Sequence, residues 1–341
     1  MPSERRIPSL RPPRLRRDRG RASLAAIEHA PESLEPRFEE LEGAGLRWIK
    51  LARPTDTEQE WLGERFEFHP LDLEDVVSRN QRPKLDLYDD YMFIVLHFPV
   101  FDPEAGRLTT GELDLFVGPG YLVSIPNRPL QPVDYLFERC RRDPELRQEI
   151  FSKGAGYLLY RIVDDSFDYC FPMLRKIGNK LDSLEEQIFT DDSSDVVREI
   201  SNVRQEIINF RRVIRPGRPV IAELEKVKRR YLAPDLDLEI YFDDVGDAQG
   251  RIWDLLENYK EVVEALGESN ESVVSSRVND ILRVLTSISV IVLPLTLLAS
   301  VWGMNVGVPG QGSGPAFWIV IGSMIALLVA MVAWFRGRGW L

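Results

Sequence analysis

The chain has 341 residues, enough for two or three structural units. Its net charge is −11, but the first 21 residues hold eight Arg against Glu4 and Asp18, a local +6 that leaves −17 on the rest. So acidic a body excludes nucleic acid as a natural partner and favours cations.

The opening segment "RRIPSLRPPRLRRDRGR" carries Pro8, Pro12 and Pro13, after Pro2 just before it, and few apolar residues. It lacks the apolar core of a secretory signal, and the prolines spoil the amphipathic helix of an organelle transit peptide. The expectation is a disordered basic arm over 1–30, near an anionic membrane surface.

Residues 31–150 read as a mixed α/β unit. "LRWIKL" (Leu46–Leu51), "MFIVLHF" (Met92–Phe98), "LDLFV" (Leu113–Val117) and "YLVSI" (Tyr121–Ile125) are strand-like, the last two joined at Gly118-Pro119-Gly120. "DTEQEWLGERF" and "PLDLEDVVS" between them read as short helices. Cys140 and Cys170 lack paired-ligand spacing, and the His residues are His29, His69 and His97, so no structural zinc site is legible. Both thiols are expected buried and reduced.

After residue 150 the period changes. Tyr157–Phe189 is helical in pattern, with a kink expected at Pro172. Val196, Ile200, Val203, Ile207, Phe210 and Ile214 form a heptad-like seam that ends at Arg215-Pro216-Gly217. "TDDSSD" (Thr190–Asp195) should connect the two as an antiparallel hairpin. A third seam takes Val245, Ala248, Ile252, Leu255, Tyr259, Val262 and Leu266. No proline intervenes from Ala248 to Leu293, so one helix is expected to run from this seam to Trp302.

No Asp, Glu, Lys, Arg or His occurs in the 52 residues between Arg283 and Arg336. Val284–Trp302 and Ala316–Phe335 are each long enough to cross a hydrocarbon core of about 30 Å. Arg277 and Arg283 precede the first span and Arg336 and Arg338 follow the second, while the loop between has no charge. The positive-inside rule then places both termini in the cytoplasm and residues 303–315 outside. The expected architecture is α+β: a cytosolic α/β domain (31–150), a helical hairpin and stalk helix (151–280), a first transmembrane helix (281–302), an external loop (303–315), a second transmembrane helix (316–335) and a basic cytosolic tail (336–341).

Asn279, Leu282, Thr286, Ser289, Leu293, Thr296 and Ser300 follow one another in steps of three and four along the first span. Small polar side chains so arranged serve either as helix–helix contacts or as the wall of a water-filled path with leucine constrictions. The second span, with chiefly Gly322 and Ser323, has no such stripe and reads as a lipid-facing outer helix. Two helices cannot enclose a path, so the wall reading requires several copies around an axis. Gly303-Met304-Asn305 closes the first span. A ring of neutral amide oxygens at Asn305 suits Mg²⁺, which gives up its waters reluctantly, and Gly303 would let backbones approach at the bend.

"GMN" at the end of the first of two C-terminal spans, with a basic tail "RGRGWL", resembles the CorA family of divalent-cation channels. "FHPLDLEDVVSRNQRPKLDLYDDYMFIVLHF" (Phe68–Phe98) is similar to that family's HPL…EDV…QRPK…Y segment, "YFDDVGD" (Tyr241–Asp247) to its YF-x-D stretch, and "NDILRVLT…LPLTLLASVWGMN" to its first span. The likeness covers roughly residues 40–341. It implies a funnel-shaped homopentamer in a bacterial inner (plasma) membrane, with the stalk and first span lining the pore and Gly303, Met304 and Asn305 as selectivity residues. It also implies that cytosolic Mg²⁺ between subunits holds the pore closed. Carried over by motif, Asp75 would face Asp244 of a neighbouring subunit, Glu74 and Asp164 would form a weaker second site, Asn279 a polar ring, and Glu268 an acid at the pore mouth. The loop "VGVPGQGSGP" departs from the aromatic and acidic residues that follow GMN in Mg²⁺-selective members. It looks more like the ZntB branch, so Zn²⁺, Co²⁺ and Ni²⁺ stand behind Mg²⁺ as cargo. A proton-coupled Zn²⁺ transporter and a non-conducting membrane-anchored Mg²⁺ sensor remain alternatives. With no nucleotide loop, Ser/Cys–His arrangement or metal-hydrolase motif, an enzyme is not expected.

Overall fold

The structure is a computed structural model that describes residues 36–52, 54–78, 81–190, 193–227, 232, 236–304, 307 and 314–340. The basic arm over 1–30, Asn305 and most of the loop after it lie outside the described residues.

A six-stranded sheet comprises β1 (Phe38–Gly43), β2 (Leu46–Leu51), β3 (Lys84–Leu87), β4 (Met92–Asp102), β5 (Arg107–Gly118) and β6 (Tyr121–Pro126), in the spatial order β1-β2-β6-β5-β4-β3. Only the β2–β6 pairing is parallel. The β5–β6 turn is Pro119-Gly120, with Gly118 opposite Tyr121, and Gly120 takes a φ of +75° that glycine adopts without steric cost. Side chains alternate along β5. Leu113, Leu115 and Val117 enter a core with the later helices, while Phe116 enters a second core with Leu62, Leu73 and Val76. Those last three come from α1 (Asp56–Phe66) and α2 (Pro70–Val77), which cover the opposite face.

Four of the strands and both short helices match the sequence expectation. β1, "FEELEG", and β3, "KLDL", are the two edge strands, and their charge hid them. Charged edges discourage pairing with another sheet, so the pattern that conceals them has a physical use.

On the first core pack α3 (Gln131–Arg142), α4 (Pro144–Phe151) and α5 (Ala155–Asp168), followed by α6 (Cys170–Thr190), α7 (Ser193–Ile214) and α8 (Arg218–Leu224). All six residues of the α7 seam are buried. The kink expected at Pro172 is instead a break at Tyr169, between α5 and α6. Proline lacks an N–H and its ring crowds the carbonyl four residues earlier, at Asp168, so it starts a helix more readily than it bends one. α6 runs through Thr190 and α7 starts at Ser193, so Thr190, Ser193, Ser194 and Asp195 of the expected connection are helical, and Asp191 and Asp192 lie outside the described residues. Cys140 and Cys170 are buried and free, and burial raises the Cys140 thiol to about 11.

The long helix α9 runs unbroken from Leu238 to Trp302, roughly 100 Å at 1.5 Å per residue. It passes through Gly267 and Pro294, and Asp237 caps its start by accepting from the Glu239 N–H. It packs on α5, α6, α7 and α8. The buried seam is Val245, Ala248, Ile252, Leu256, Val263 and Leu266, with Leu255, Tyr259 and Val262 only half-buried. The expected register therefore slips by one at two positions: α9 meets two neighbours, α6 and α7, and a helix repeat of 3.6 drifts against a strict heptad. The last helix, α10 (Gly314–Gly337), packs back against α9. Of the most apolar window, 11% is buried in α9 and 0% in α10. That surface is unlike the core helix of a soluble protein and finds no protein cover within one chain.

Candidate metal centre and pore-lining helix

The site acids sit on three helices. Glu74 and Asp75 lie in α2, whose position the HPL motif explains. His69 is the N-cap, its Nδ1 accepting from the Leu71 N–H at 3.2 Å, and Pro70 takes the first helical position, where no N–H is needed. A partly buried network ties α2 to the chain beside the sheet. The His69 N–H donates to the Tyr91 hydroxyl at 2.9 Å, which donates to Asp72 Oδ2 at 2.8 Å, while the Tyr88 hydroxyl donates to Asp72 Oδ1 at 3.2 Å. Burial raises the Asp72 carboxyl, against the pull of Tyr91, Tyr88 and Lys84.

Glu74 is exposed and Asp75 half-buried. Lys84, the first residue of β3, brings Nζ to 2.8 Å from Asp75 Oδ2, 2.5 Å from Asp86 Oδ2 and 4.0 Å from Asp72 Oδ1. Burial works against the ammonium charge, but the bonds to Asp75 and Asp86 outweigh it and raise Lys84 to about 12. Nearby on β5, Asp114 is 2% exposed, and its Oδ1 has no hydrogen-bond partner among the described residues. Burial, with Glu112 and Asp75, pushes its carboxyl well above the usual range.

Asp164 lies on α5 and Asp244 on α9, brought together by ring packing. Tyr160 and Tyr241 have centroids 4.9 Å apart, Tyr157 and Tyr241 5.4 Å. Asp164 is raised to about 6, first by burial, then by Asp168, with Asp165 and Asp244 adding and Arg161 opposing. Arg161 reaches Asp164 Oδ2 at 3.6 Å and prefers Asp165 Oδ1 at 2.8 Å. The fold thus sets Asp164 within electrostatic reach of Asp244 inside one subunit. Glu74 and Asp75 form a separate station on α2. No group of three His, Cys, Asp or Glu that could hold a metal ion occurs within the chain among the described residues.

Lys84 is the site residue that sequence reasoning did not single out. It stands inside the quoted QRPK motif, but its salt bridge to Asp75 requires β3 to lie beside α2, and β3 was not anticipated.

On α9, Glu268, Asn279, Leu282, Thr286, Ser289, Leu293, Thr296 and Ser300 are all exposed, Leu293 at 68%. The buried edge of the same span is Ser287 and Ile291, flanked by half-buried Pro294, Leu295 and Leu298. At 3.6 residues per turn the polar stripe lies roughly opposite that edge. Ser289 Oγ donates to the Leu285 carbonyl at 2.9 Å and Thr296 Oγ1 to the Val292 carbonyl at 2.9 Å. Each hydroxyl proton is thereby occupied within the helix, so the oxygens turn outward as acceptors, the polarity a cation's water shell requires. Gly303 ends the helix, its N–H donating to the Ala299 carbonyl at 2.9 Å with a φ of −84°. That is right-handed backbone, so the φ itself does not demand glycine, but a Cβ there would stand 3.1 Å from the Ala299 carbonyl oxygen, a tight approach that glycine avoids. Met304 is 53% exposed.

A family model described as CorA-like Mg²⁺ transporter protein matches residues 43–337. The Bacillus subtilis protein YfjQ, whose name assigns it to metal-ion transport, is 32% identical over 297 residues, covering 86% of this chain and 89% of that protein. The cobalt/magnesium transport protein CorA of Thermotoga maritima is 31% identical over 299 residues, covering 86% and 83%. The complete structure of the CorA magnesium transporter from Methanocaldococcus jannaschii superposes over 90% of this chain and 95% of its own with a TM-score of 0.77 at 20% identity, a likeness of fold. Two uncovered apolar helices in a chain of this lineage make it a membrane protein, and the lineage is one of transporters rather than enzymes. The chain belongs to the CorA-like Mg²⁺ transporter family.

Proposed function

We propose that the protein is a homopentameric funnel that conducts Mg²⁺ through the membrane along a path walled by α9, with α10 outside toward lipid. The observation that carries this reading is the polar stripe from Asn279 to Ser300, exposed in one chain and turned away from α10. A stripe meant for packing α9 on α10 would be the buried one; Ser287 and Ile291 occupy that place instead. Both termini face the cytoplasm, in a bacterial inner membrane, and Gly303, Met304 and Asn305 form the external rim. Leu282 and Leu293 are the apolar constrictions between hydroxyl rings, and Glu268 gathers cations at the cytosolic mouth.

Gating follows from the acids. Asp75 of one subunit and Asp244 of the next repel each other across an interface until a hydrated Mg²⁺ sits between them. Glu74 and Asp164 make the weaker second site. The lack of a complete ligand set among the described residues of one chain supports a shared site. When cytosolic Mg²⁺ falls, the bridges empty, repulsion returns and the subunits splay, biasing a bistable pore toward opening. The family relatives' names cover magnesium and cobalt, and the same path would pass Co²⁺ or Ni²⁺.

The uncharged loop of Gly and Pro after Asn305 favours one second reading, proton-coupled Zn²⁺ transport on the same scaffold. Vesicles holding purified protein and a metal-sensing dye separate the two. Mg²⁺ entry without a pH gradient, lost in Asn305→Ala, is the expected result. Zn²⁺ entry that tracks an imposed pH gradient while Mg²⁺ stays out would replace the first reading with the second. Absence of any flux beside an intact Mg²⁺ response of the soluble part would leave a sensor.

A further inference from the structure

The ammonium of Lys84 is placed where a regulatory cation would have to act. It stands over the Phe93 ring at 4.9 Å from the centroid and reaches three carboxylates, Asp75, Asp86 and Asp72. Its position is fixed by the sheet: β3 pairs antiparallel with β4, and Lys84 lies opposite Val95. Lys84 engages one of the two Asp75 oxygens, Oδ2, so a hydrated dication on Asp75 would share the carboxylate with this ammonium and be repelled by it.

We propose that Lys84 is a tethered counter-cation that competes with the regulatory dication for Asp75 and so sets the concentration at which the interface site fills. This rests on the reading of Asp75 as a dication ligand. In the metal-free state Lys84, whose single charge is spread over Asp75, Asp86 and Asp72, offsets part of the Asp75 charge and weakens, without removing, the repulsion that a dication relieves. When the dication arrives, Lys84 keeps Asp86 as a partner, whose side chain is 40% exposed and open to solvent. The exchange is therefore a short swing between two acceptors and is readily reversed. A sensor that must release its ion when the cytosolic level falls needs such weakening, because an unopposed pair of carboxylates would hold the ion at concentrations where the pore should open. A single positive charge about 5 Å from a dication in a water-like medium weakens its binding roughly tenfold.

The test uses the full-length protein in detergent, titrated with MgCl₂ and read as the rise in thermal unfolding midpoint and as protection from trypsin. Lys84→Gln removes the charge; Lys84→Met removes it while keeping an apolar stem over Phe93; Lys84→Arg retains it. The expected result is a half-saturating Mg²⁺ concentration lowered roughly tenfold in Lys84→Gln and Lys84→Met, and near the parent value in Lys84→Arg. Asp244→Asn is the control for the site itself and should abolish the Mg²⁺ response. If Asp244→Asn abolishes the response while both neutral variants keep the parent midpoint or need more Mg²⁺, the competition is refuted and the site stands. If Asp244→Asn and the neutral variants all respond as the parent does, the site reading fails and the competition fails with it.

Discussion

Ser287 and Ser289, two residues apart on α9, have opposite surroundings. Ser287 is 0% exposed and Ser289 is exposed, yet both hydroxyls donate to carbonyls four residues earlier, at 2.8 and 2.9 Å. The difference between them is what the side chain faces, and it divides the helix into an α10 side and a stripe side. Ser289→Leu should leave assembly and thermal stability intact while cutting cation flux to near background, because a bulky apolar ring narrows and dries the path. Ser287→Leu should do the reverse. It overfills a packed contact, costs about 1–3 kcal/mol and lowers the unfolding midpoint before it affects conduction. Dye-flux and thermal-unfolding measurements on the two variants check the pair.

The raised carboxyl of Asp164 gives a pH dependence. A carboxyl whose folded pKa, here about 6, exceeds its unfolded value favours the fold while protonated, and that contribution is lost as pH rises through about 6. Metal-free protein is therefore expected to lose Asp164's share of stability between about pH 4 and pH 6 on the way up. A dication binds only the ionised form, so Mg²⁺ should raise the unfolding midpoint more at about pH 7.5 than at about pH 5. Asp164→Asn should flatten that difference. Unfolding scans with and without Mg²⁺ at the two pH values give the answer.

Tyr91 is expected to matter for the sensor although it touches no proposed metal ligand. Its hydroxyl joins the His69 N–H to the Asp72 carboxylate and seats α2, the helix that carries Glu74 and Asp75. Tyr91→Phe leaves a buried carboxylate short of a donor and should cost about 1–3 kcal/mol in denaturant unfolding. It should also raise the Mg²⁺ needed for half-maximal protection from trypsin, since α2 loses its anchor.

The strands with apolar alternation or continuous apolar runs, β2, β4, β5 and β6, are legible in the sequence because burial imposes the pattern directly. The α7 seam is legible for the same reason. β1 and β3 are not, since an edge strand keeps one flank in solvent and tolerates Glu39, Glu40, Glu42, Lys84 and Asp86. The α9 seam is legible in kind but not in register, because Leu256 and Val263 are buried by a groove between two helices that only the assembled hairpin creates. At the candidate site, the acids are nameable one by one through the family resemblance, whereas their relations are not. Nothing in the spacing from Asp75 to Lys84 announces a salt bridge across a loop, and nothing in Tyr157, Tyr160 and Tyr241 announces that they draw Asp164 toward Asp244. That the α9 stripe occupies one face follows from helical spacing, but spacing leaves open whether that face is packed or exposed, and the exposure of Ser289, Leu293 and Thr296 answers it only in the folded chain.

The central claim is that the α9 stripe faces a water-filled cation path shared by several subunits. Substituted-cysteine accessibility tests it most directly, since the native thiols Cys140 and Cys170 are buried and give a quiet background. Thr296→Cys and Ser287→Cys, each reconstituted in vesicles, are treated with a charged, water-soluble thiol reagent while Mg²⁺ flux is followed. The account predicts that Thr296→Cys reacts and its flux is blocked, while Ser287→Cys neither reacts nor changes. A Thr296→Cys protein that stays unmodified in the membrane, or one that is modified and conducts as before, would contradict it.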